Sequence, residues 1–331
     1  QVNSGLCNLK HRRPAGSRRS DVMKSRAMSE ALFGPLQELR ERAIARATPQ
    51  RGYHAITIDF AGAANREPLV DAAARGLAGA NFYANARNPP YYHAIPGAID
   101  KLLLRTGATE RLQRINERLA EAGLELWLFD AWRPQAVQIY FHDVWFPAEL
   151  RKRNPALAGG ELTAEVERYW AAPSAGADAP SPHSTGGAVD LTLRWRGGDA
   201  LWMGSLFDDA SPIAHLDHFE AARAEWSFSA EEARANRRLL YWLMVEAGFA
   251  ANPNEWWHFS FGDQMWAQAM GAAAGSTLIL LLRGDRLEVF TPESSLRRIQ
   301  EMVRRVVPEG VSLSDELIAD RRREAEEDHN D

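Results

Sequence analysis

Two short motifs hold the residues whose types and spacing suit chemistry. Residues 181–190 read SPHSTGGAVD, and residues 255–258, 65 positions beyond Asp190, read EWWH. Together they offer two imidazoles, His183 and His258, and two carboxylates, Asp190 and Glu255. A catalytic zinc ion takes three protein ligands from such a set and leaves a position open for water. The remaining carboxylate is what metal-assisted hydrolysis of a peptide requires, a base that takes a proton from water and passes it to the leaving amine. Each piece is weak by itself. A histidine in a Gly-rich loop is ordinarily a surface residue, and a lone ExxH seldom binds metal. The two motifs in this order point to a zinc hydrolase of small peptides.

The elements that carry these residues limit how they meet. Ala188 to Trp195 reads as a strand, so Ala188, Asp190 and Thr192 face one way and Val189, Leu191 and Leu193 the other. Asp190 then faces the site while the Val/Leu side packs into the core. The glycines after His183 let the backbone fold back so that His183 and Asp190 meet. Glu255 and His258 are an odd number of residues apart and would fall on opposite faces of a regular strand over Glu255 to Phe261. Glu255 must therefore sit on the incoming turn, which Asn252-Pro253-Asn254 favours, or at a bulge. Trp257, Phe259 and Phe261 form the core face.

Farther out, a helix is expected over Glu30 to Ala47, a strand over His54 to Phe60, and a loop over the Tyr/Asn-rich stretch Gly76 to Pro96. A helix follows over Ala98 to Gly123, then a strand over Leu124 to Trp132 and a helix opened by Pro134 and running to about Trp145. Ala171 to Pro182 reads as loop, Ser229 to Gly248 as helix, and Ala267 to Ser276 as linker. Helices and strands mix without βαβ alternation, which favours an α+β fold with an antiparallel sheet. Beyond the linker come strands over Thr277 to Arg283 and Arg286 to Thr291, then a helix capped by Thr291 and a charged helix from near Ser312. The expected organisation is a basic, disordered leader (1–27), a catalytic domain (28–270), a linker (271–276) and a tail (277–331).

A net charge of −5 over 331 residues gives no reason to expect a nucleic-acid binder, and no stretch nears the ~20 apolar residues of a membrane helix. Residues 1–50 carry ten Lys/Arg against four Asp/Glu, read as a solvated tail. The single cysteine, Cys7, permits neither an internal disulfide nor a Cys-based zinc site. It fits a reducing compartment such as the cytoplasm of a bacterium, although a cysteine-poor protein also suits the outside of a cell, or the periplasm if the true N-terminus differs.

The pattern SxHxxGxAxD followed by ExWH resembles the D-alanyl-D-alanine dipeptidases related to VanX. The similarity extends to NFYANARNPPYY from Asn81, FDAWRP at 129–134, MGSLFD at 203–208 and NRRLLYWLMVEAGF at 236–249, and spans most of residues 50–270. It implies an α+β fold of the D-Ala-D-Ala carboxypeptidase/Hedgehog-like kind, in which helices flank a small antiparallel sheet that carries the metal. It implies one Zn2+ per chain, held by His183, Asp190 and His258, with Glu255 as base and Arg133 stabilising the oxyanion. Ser181 and Asp208 match positions near the dipeptide, Asp208 holding its ammonium, and the loop from Asn81 to Tyr92 is a candidate cover. The implied reaction is hydrolysis of D-Ala-D-Ala to two D-alanines, in a site expected to be small and closed. The alternative is a related D,D- or L,D-carboxypeptidase or dipeptidase acting on other peptidoglycan-derived peptides. His215 and His218 are placed on a loop near the site without a ligand role, and His54, His93 and His142 have no partner motif. The tail resembles the C-terminal half of VapB-type antitoxins, with Leu313, Leu317 and Ile318 on a helix that would grip a toxin; a remnant of gene fusion is the favoured reading. A non-catalytic toxin-binding fusion protein is the alternative of a different class.

Overall fold

The computed structural model describes residues 32–45, 52–60, 66–167, 170, 172–173, 176, 179–221, 227–271, 279–283 and 286–290. The chain divides into two units, Gln1–Ser276 and Thr277–Asp331.

The described part of the first unit is helical from Leu32 through a 3-10 turn (Gly34–Leu36) and helix α1 (Gln37–Glu41), so the helix expected over Glu30 to Ala47 ends early at its C-terminal side. Arg42 is extended where a helix would continue. Its guanidinium lies 3.5 Å from the Trp242 ring centroid, and its carbonyl accepts from Trp242 Nε1 at 2.9 Å. These tertiary contacts override local helix propensity. His54 to Phe60 forms no regular strand either, Ile58 making only an isolated bridge. Tyr53–Ala55 is a 3-10 turn entered from Gly52 at φ 73, and Gln264 Nε2 donates to the carbonyls of His54 and Ile56 at 3.2 and 2.6 Å. A side chain thus takes acceptors that a neighbouring strand would have used.

Strands β1 (Leu69–Asp71), β2 (Ala78–Gly79) and β3 (Leu103–Arg105) lead into helix α2 (Thr106–Ala120). The helix expected from Ala98 therefore begins at Thr106, because Leu103–Arg105 pairs with β1. Next come β4 (Leu124–Asp130), α3 (Gln135–Ile139), a wide π-helical stretch (Tyr140–Trp145), α4 (Phe146–Arg153) and α5 (Gly159–Val166). Strand β5 (Ala188–Trp195) matches its expected bounds. Helix α6 (Phe228–Glu246) is capped by the Ser227 side chain, which accepts from the amide of Ala230. Strands β6 (Ala250–Ala251) and β7 (His258–Ser260) and helix α7 (Gln264–Met270) complete the unit. Residues 267–270, expected as linker, thus belong to α7, which ends at Gly271 with φ 62.

The main sheet has the order β2-β4-β5-β7-β6. It is antiparallel, as expected, apart from the two-residue β2, which runs parallel to β4. One hydrophobic core joins Leu112, Ile115 and Leu119 of α2 and Leu239, Leu240 and Leu243 of α6 to Leu126, Leu128, Val189, Leu191 and Leu193 of the sheet. Ala188, Asp190 and Thr192 on the opposite parity are buried as well, so β5 is covered on both faces.

The second unit contains an antiparallel hairpin of β8 (Ile279–Arg283) and β9 (Arg286–Phe290). The expected helices beyond it, with Leu313, Leu317 and Ile318, and the leader 1–27 lie outside the described residues.

Candidate metal centre and active site

The centre lies where three strands run side by side. Asp190 on β5 is in register with His258 on β7 and, on the other side, with Asp130 on β4. The second pairing needs an irregularity: Leu128 stands opposite Leu191, yet Asp130 stands opposite Asp190, so β4 contributes one extra residue at Phe129. This bulge turns Asp130 onto the row shared with the site. His183 enters from a 3-10 turn (Pro182–Thr185) that ends at Gly186 with φ 70. Glu255 sits on the turn before β7, as the parity argument required. The His258 amide bonds the Glu255 carbonyl at 3.4 Å, and the two side chains come within 3.9 Å.

His183 Nε2 lies 3.3 Å from Asp190 Oδ2 and 3.1 Å from His258 Nδ1, while Asp190 Oδ1 lies 3.0 Å from His258 Nδ1. One donor atom from each residue falls within 4.8 Å of the others. Outer contacts fix which atoms face inward. His183 Nδ1 lies 2.7 Å from the Ala131 carbonyl, which only a protonated nitrogen can satisfy, so Nε2 presents its lone pair to the centre. His258 Nε2 is 3.2 Å from Ser260 Oγ, and a proton there leaves Nδ1 as the second inward lone pair. Two imidazole lone pairs and a carboxylate aimed at one point repel each other unless a cation lies between them. Burial by itself would raise the pKa of Asp190, but His183 and His258 outweigh it and hold the carboxylate ionised. Burial opposes charge on His258 too, yet Asp190 and Glu255 pull its pKa up. The spot therefore calls for positive charge, and the three buried residues fit a zinc ion.

Arg133 is anchored on every side. Its Nε donates to Asp130 Oδ2 at 2.8 Å, Nη1 to Gln138 Oε1 at 3.3 Å, and Nη2 to Asp190 Oδ2 at 3.2 Å and Tyr83 OH at 3.4 Å. The guanidinium also lies 4.9 Å from the Tyr83 ring centroid and 5.2 Å from that of Trp170. Burial disfavours its charge, but Tyr83, Asp130, Asp190 and Asp208 around it more than compensate. Asp130, buried and also bonded by Asn81 Nδ2 at 3.1 Å, is thus the support of Arg133.

Asp208 has φ 63, and its Oδ2 accepts from Tyr83 OH at 2.8 Å and Tyr91 OH at 2.9 Å. Its enclosure, only partly countered by Arg133 and the hydroxyls, pushes its pKa up to about 7. Burial likewise raises the pKa of Glu255, whose Oε2 accepts from Asn252 Nδ2 at 2.9 Å. Ser181, Asp208, Glu255, Arg133 and the three presumptive ligands all line one cleft of about 770 Å3. All seven residues singled out from sequence are thus brought together, although the cleft is roomier than the small, closed site expected. His215 reaches the cleft edge as well. Tyr83 and Tyr91, expected only as part of a candidate cover, donate their hydroxyls to Asp208. Their signal was the density of Tyr and Asn between Asn81 and Tyr92.

The family model described as D-ala-D-ala dipeptidase, within peptidase family M15, matches residues 75–274. The chain belongs to that family. Its relatives include the D-alanyl-D-alanine dipeptidase of Synechocystis, 35% identical over 235 residues, which cover 66% of this chain and 90% of the relative. The namesake in Streptomyces coelicolor is 34% identical over 158 residues, covering 46% of this chain and 70% of its own. Among solved structures, VanYB in complex with D-Alanine-D-Alanine aligns at 16% identity and TM-score 0.31, over 54% of this chain and 89% of that one. In this M15 peptidase no described helix is long and apolar enough to cross a membrane.

Proposed function

We propose that the protein is a zinc-dependent dipeptidase that hydrolyses D-Ala-D-Ala to two D-alanines, with His183, Asp190 and His258 as the ligands of one zinc ion. The observation that carries this reading is the convergence of three oriented donor atoms beside a fourth group, Glu255, which no donor position needs. The dipeptide itself comes from the family and from the relatives that bear its name. A zinc ion held there would supply a Lewis acid that polarises the peptide carbonyl and makes water more acidic.

The residues divide the remaining work. Glu255, raised in pKa by its enclosure, takes a proton from the attacking water and returns it to the departing amine. Arg133, locked by Asp130, Gln138, Tyr83 and Asp190, directs fixed positive charge at the oxygen on which negative charge develops. Asp208 holds the free ammonium of the dipeptide, and Ser181 contributes a hydroxyl to the buried wall.

Glu255→Ala should lower D-alanine release by roughly 10²- to 10⁴-fold while leaving one zinc per chain by elemental analysis. Turnover at the normal rate in that variant would refute the assignment of the base. A cleft of about 770 Å3 also favours a second reading, a related D,D- or L,D-peptidase that accepts longer peptidoglycan-derived peptides. Rates on D-Ala-D-Ala, L,D-dipeptides and longer stem peptides separate the two. We further place the enzyme in the cytoplasm, in keeping with its single cysteine, and cell fractionation tests that location.

A further inference from the structure

Arg237, on α6, touches none of the residues given a role above, yet it is only 2% exposed. Its Nε donates to the Met203 carbonyl at 2.6 Å, Nη1 to that of His215 at 2.7 Å, and Nη2 to that of Ile213 at 2.8 Å. The Phe219 and Trp256 ring centroids lie 4.7 and 5.8 Å from the guanidinium. Among the described residues no carboxylate forms an ion pair with it, and burial, only partly opposed by the more distant Asp209, pushes its pKa down to about 9. A buried cation satisfied only by neutral carbonyls is expensive to desolvate, and packing by itself would be served better by an apolar residue.

What the three carbonyls share is their place in the chain. They flank residues 204–212, a stretch whose described regular structure is limited to the 3-10 turn Pro212–Ala214 at its end. The Met203 and Ile213 carbonyls take their donor from Arg237, whereas the His215 carbonyl also accepts from the His218 amide at 3.0 Å. The middle of the stretch presents Asp208, Asp209, Ala210 and Ser211 to the catalytic cleft. Asp208 stands there in a left-handed backbone conformation, which persists only where the surroundings over-determine it. Neighbouring bonds hold the same segment: Asn236 Nδ2 to the Trp202 carbonyl at 2.9 Å and Trp256 Nε1 to Ser205 Oγ at 2.9 Å.

We propose that Arg237 is a positioning residue for substrate binding: by clamping both ends of the 203–215 segment, it sets Asp208 at the amino end of the dipeptide. The proposal rests on the dipeptidase reading and deepens it. Because Arg237 acts through Asp208, its loss weakens recognition of the ammonium and leaves the hydrolytic step nearly intact. Lysine would be a partial substitute, since one ammonium cannot reproduce the planar fork that reaches three acceptors.

The test uses the full chain loaded with zinc and the variants Arg237→Gln and Arg237→Lys. Steady-state kinetics on D-Ala-D-Ala are combined with competitive inhibition by N-acetyl-D-Ala-D-Ala, which lacks the ammonium. Arg237→Gln is expected to raise KM about tenfold with kcat within about threefold, to leave the inhibition constant of the acetylated probe unchanged, and Arg237→Lys to fall between. Unchanged KM with only a lower Tm would overturn the proposal, as would equal weakening of both ligands. If Arg237→Gln does not fold, Arg237→Lys decides by the same comparison, a preferential loss of the free dipeptide supporting the clamp and an equal loss or none overturning it. Failure of the unaltered protein to cleave D-Ala-D-Ala would instead strike the dipeptidase reading.

Discussion

Asp208 combines two costs at one residue. It occupies a left-handed backbone conformation at φ 63, and its carboxyl is pushed up to about 7 by its enclosure between Tyr83 and Tyr91. Asparagine tolerates that backbone, keeps an acceptor for both hydroxyls and carries no charge to desolvate. The sign of the pH effect follows from the raised value. The folded state binds a proton that the unfolded chain releases above pH ~4, so the carboxyl's contribution to stability is fully present below that and is lost as pH rises through about 7. Asp208→Asn should therefore melt above the unaltered protein at pH 8, with the gap closing toward pH 5, while its KM for D-Ala-D-Ala rises. An equal or lower Tm at pH 8 would contradict this account. In the unaltered protein, kcat/KM should fall as pH drops below about 7, since the protonated carboxyl no longer attracts an ammonium. Arg133 makes a second case at this scale. Its Nε, Nη1 and Nη2 all have partners, so Arg133→Lys cannot keep the geometry and should lower kcat by roughly 10²- to 10³-fold with zinc retained.

Among the elements, the turn between His183 and β5 leaves no room for a side chain at Gly187. A Cβ on Gly187 would stand 2.1 Å from Arg105 Nη2 and 2.3 Å from the Phe261 carbonyl, and Arg105 Nη2 itself donates to that carbonyl at 2.6 Å. Gly187→Ala should therefore push the 183–190 turn away from β7, lowering stability by about 1–3 kcal/mol in denaturant titration and weakening metal retention. Wild-type stability in that variant would show that the turn has room to spare. The same turn marks how far the sequence could be read. Strand β5, the Glu255 turn and the grouping of the seven site residues were legible because strand parity and motif spacing are local. No strand forms over His54 to Phe60 because distant Gln264 takes the His54 and Ile56 carbonyls, and α2 starts later than expected because β3 pairs with β1 across the 31 residues between them. The bulge that swings Asp130 beside Asp190 and the clamp of Arg237 are likewise long-range, and alternation within one segment does not encode them.

For the molecule as a whole, a metal held at the proposed centre would double as a cross-link between β5, β7 and the turn at His183. With no cation, its inward lone pairs and the Asp190 carboxylate face each other at 3.0 to 3.3 Å. Stripping the metal with a chelator should thus lower Tm as well as abolish activity, and added zinc should restore both, because an ion bound only by the folded state stabilises it by mass action. An unchanged melting curve in apo protein would mean that the cluster holds no structural ion. The placement of β7 has a further consequence. It is an interior strand of the sheet, flanked by β5 and β6, yet it is the last of the five to leave the ribosome. It also brings both the proposed third ligand, His258, and, from the turn before it, the proposed base Glu255. On this assignment a nascent or truncated chain that stops short of Glu255 holds His183, Asp190 and Arg133 but lacks both the base and the last ligand, so hydrolytic power would arrive in a single late step of synthesis.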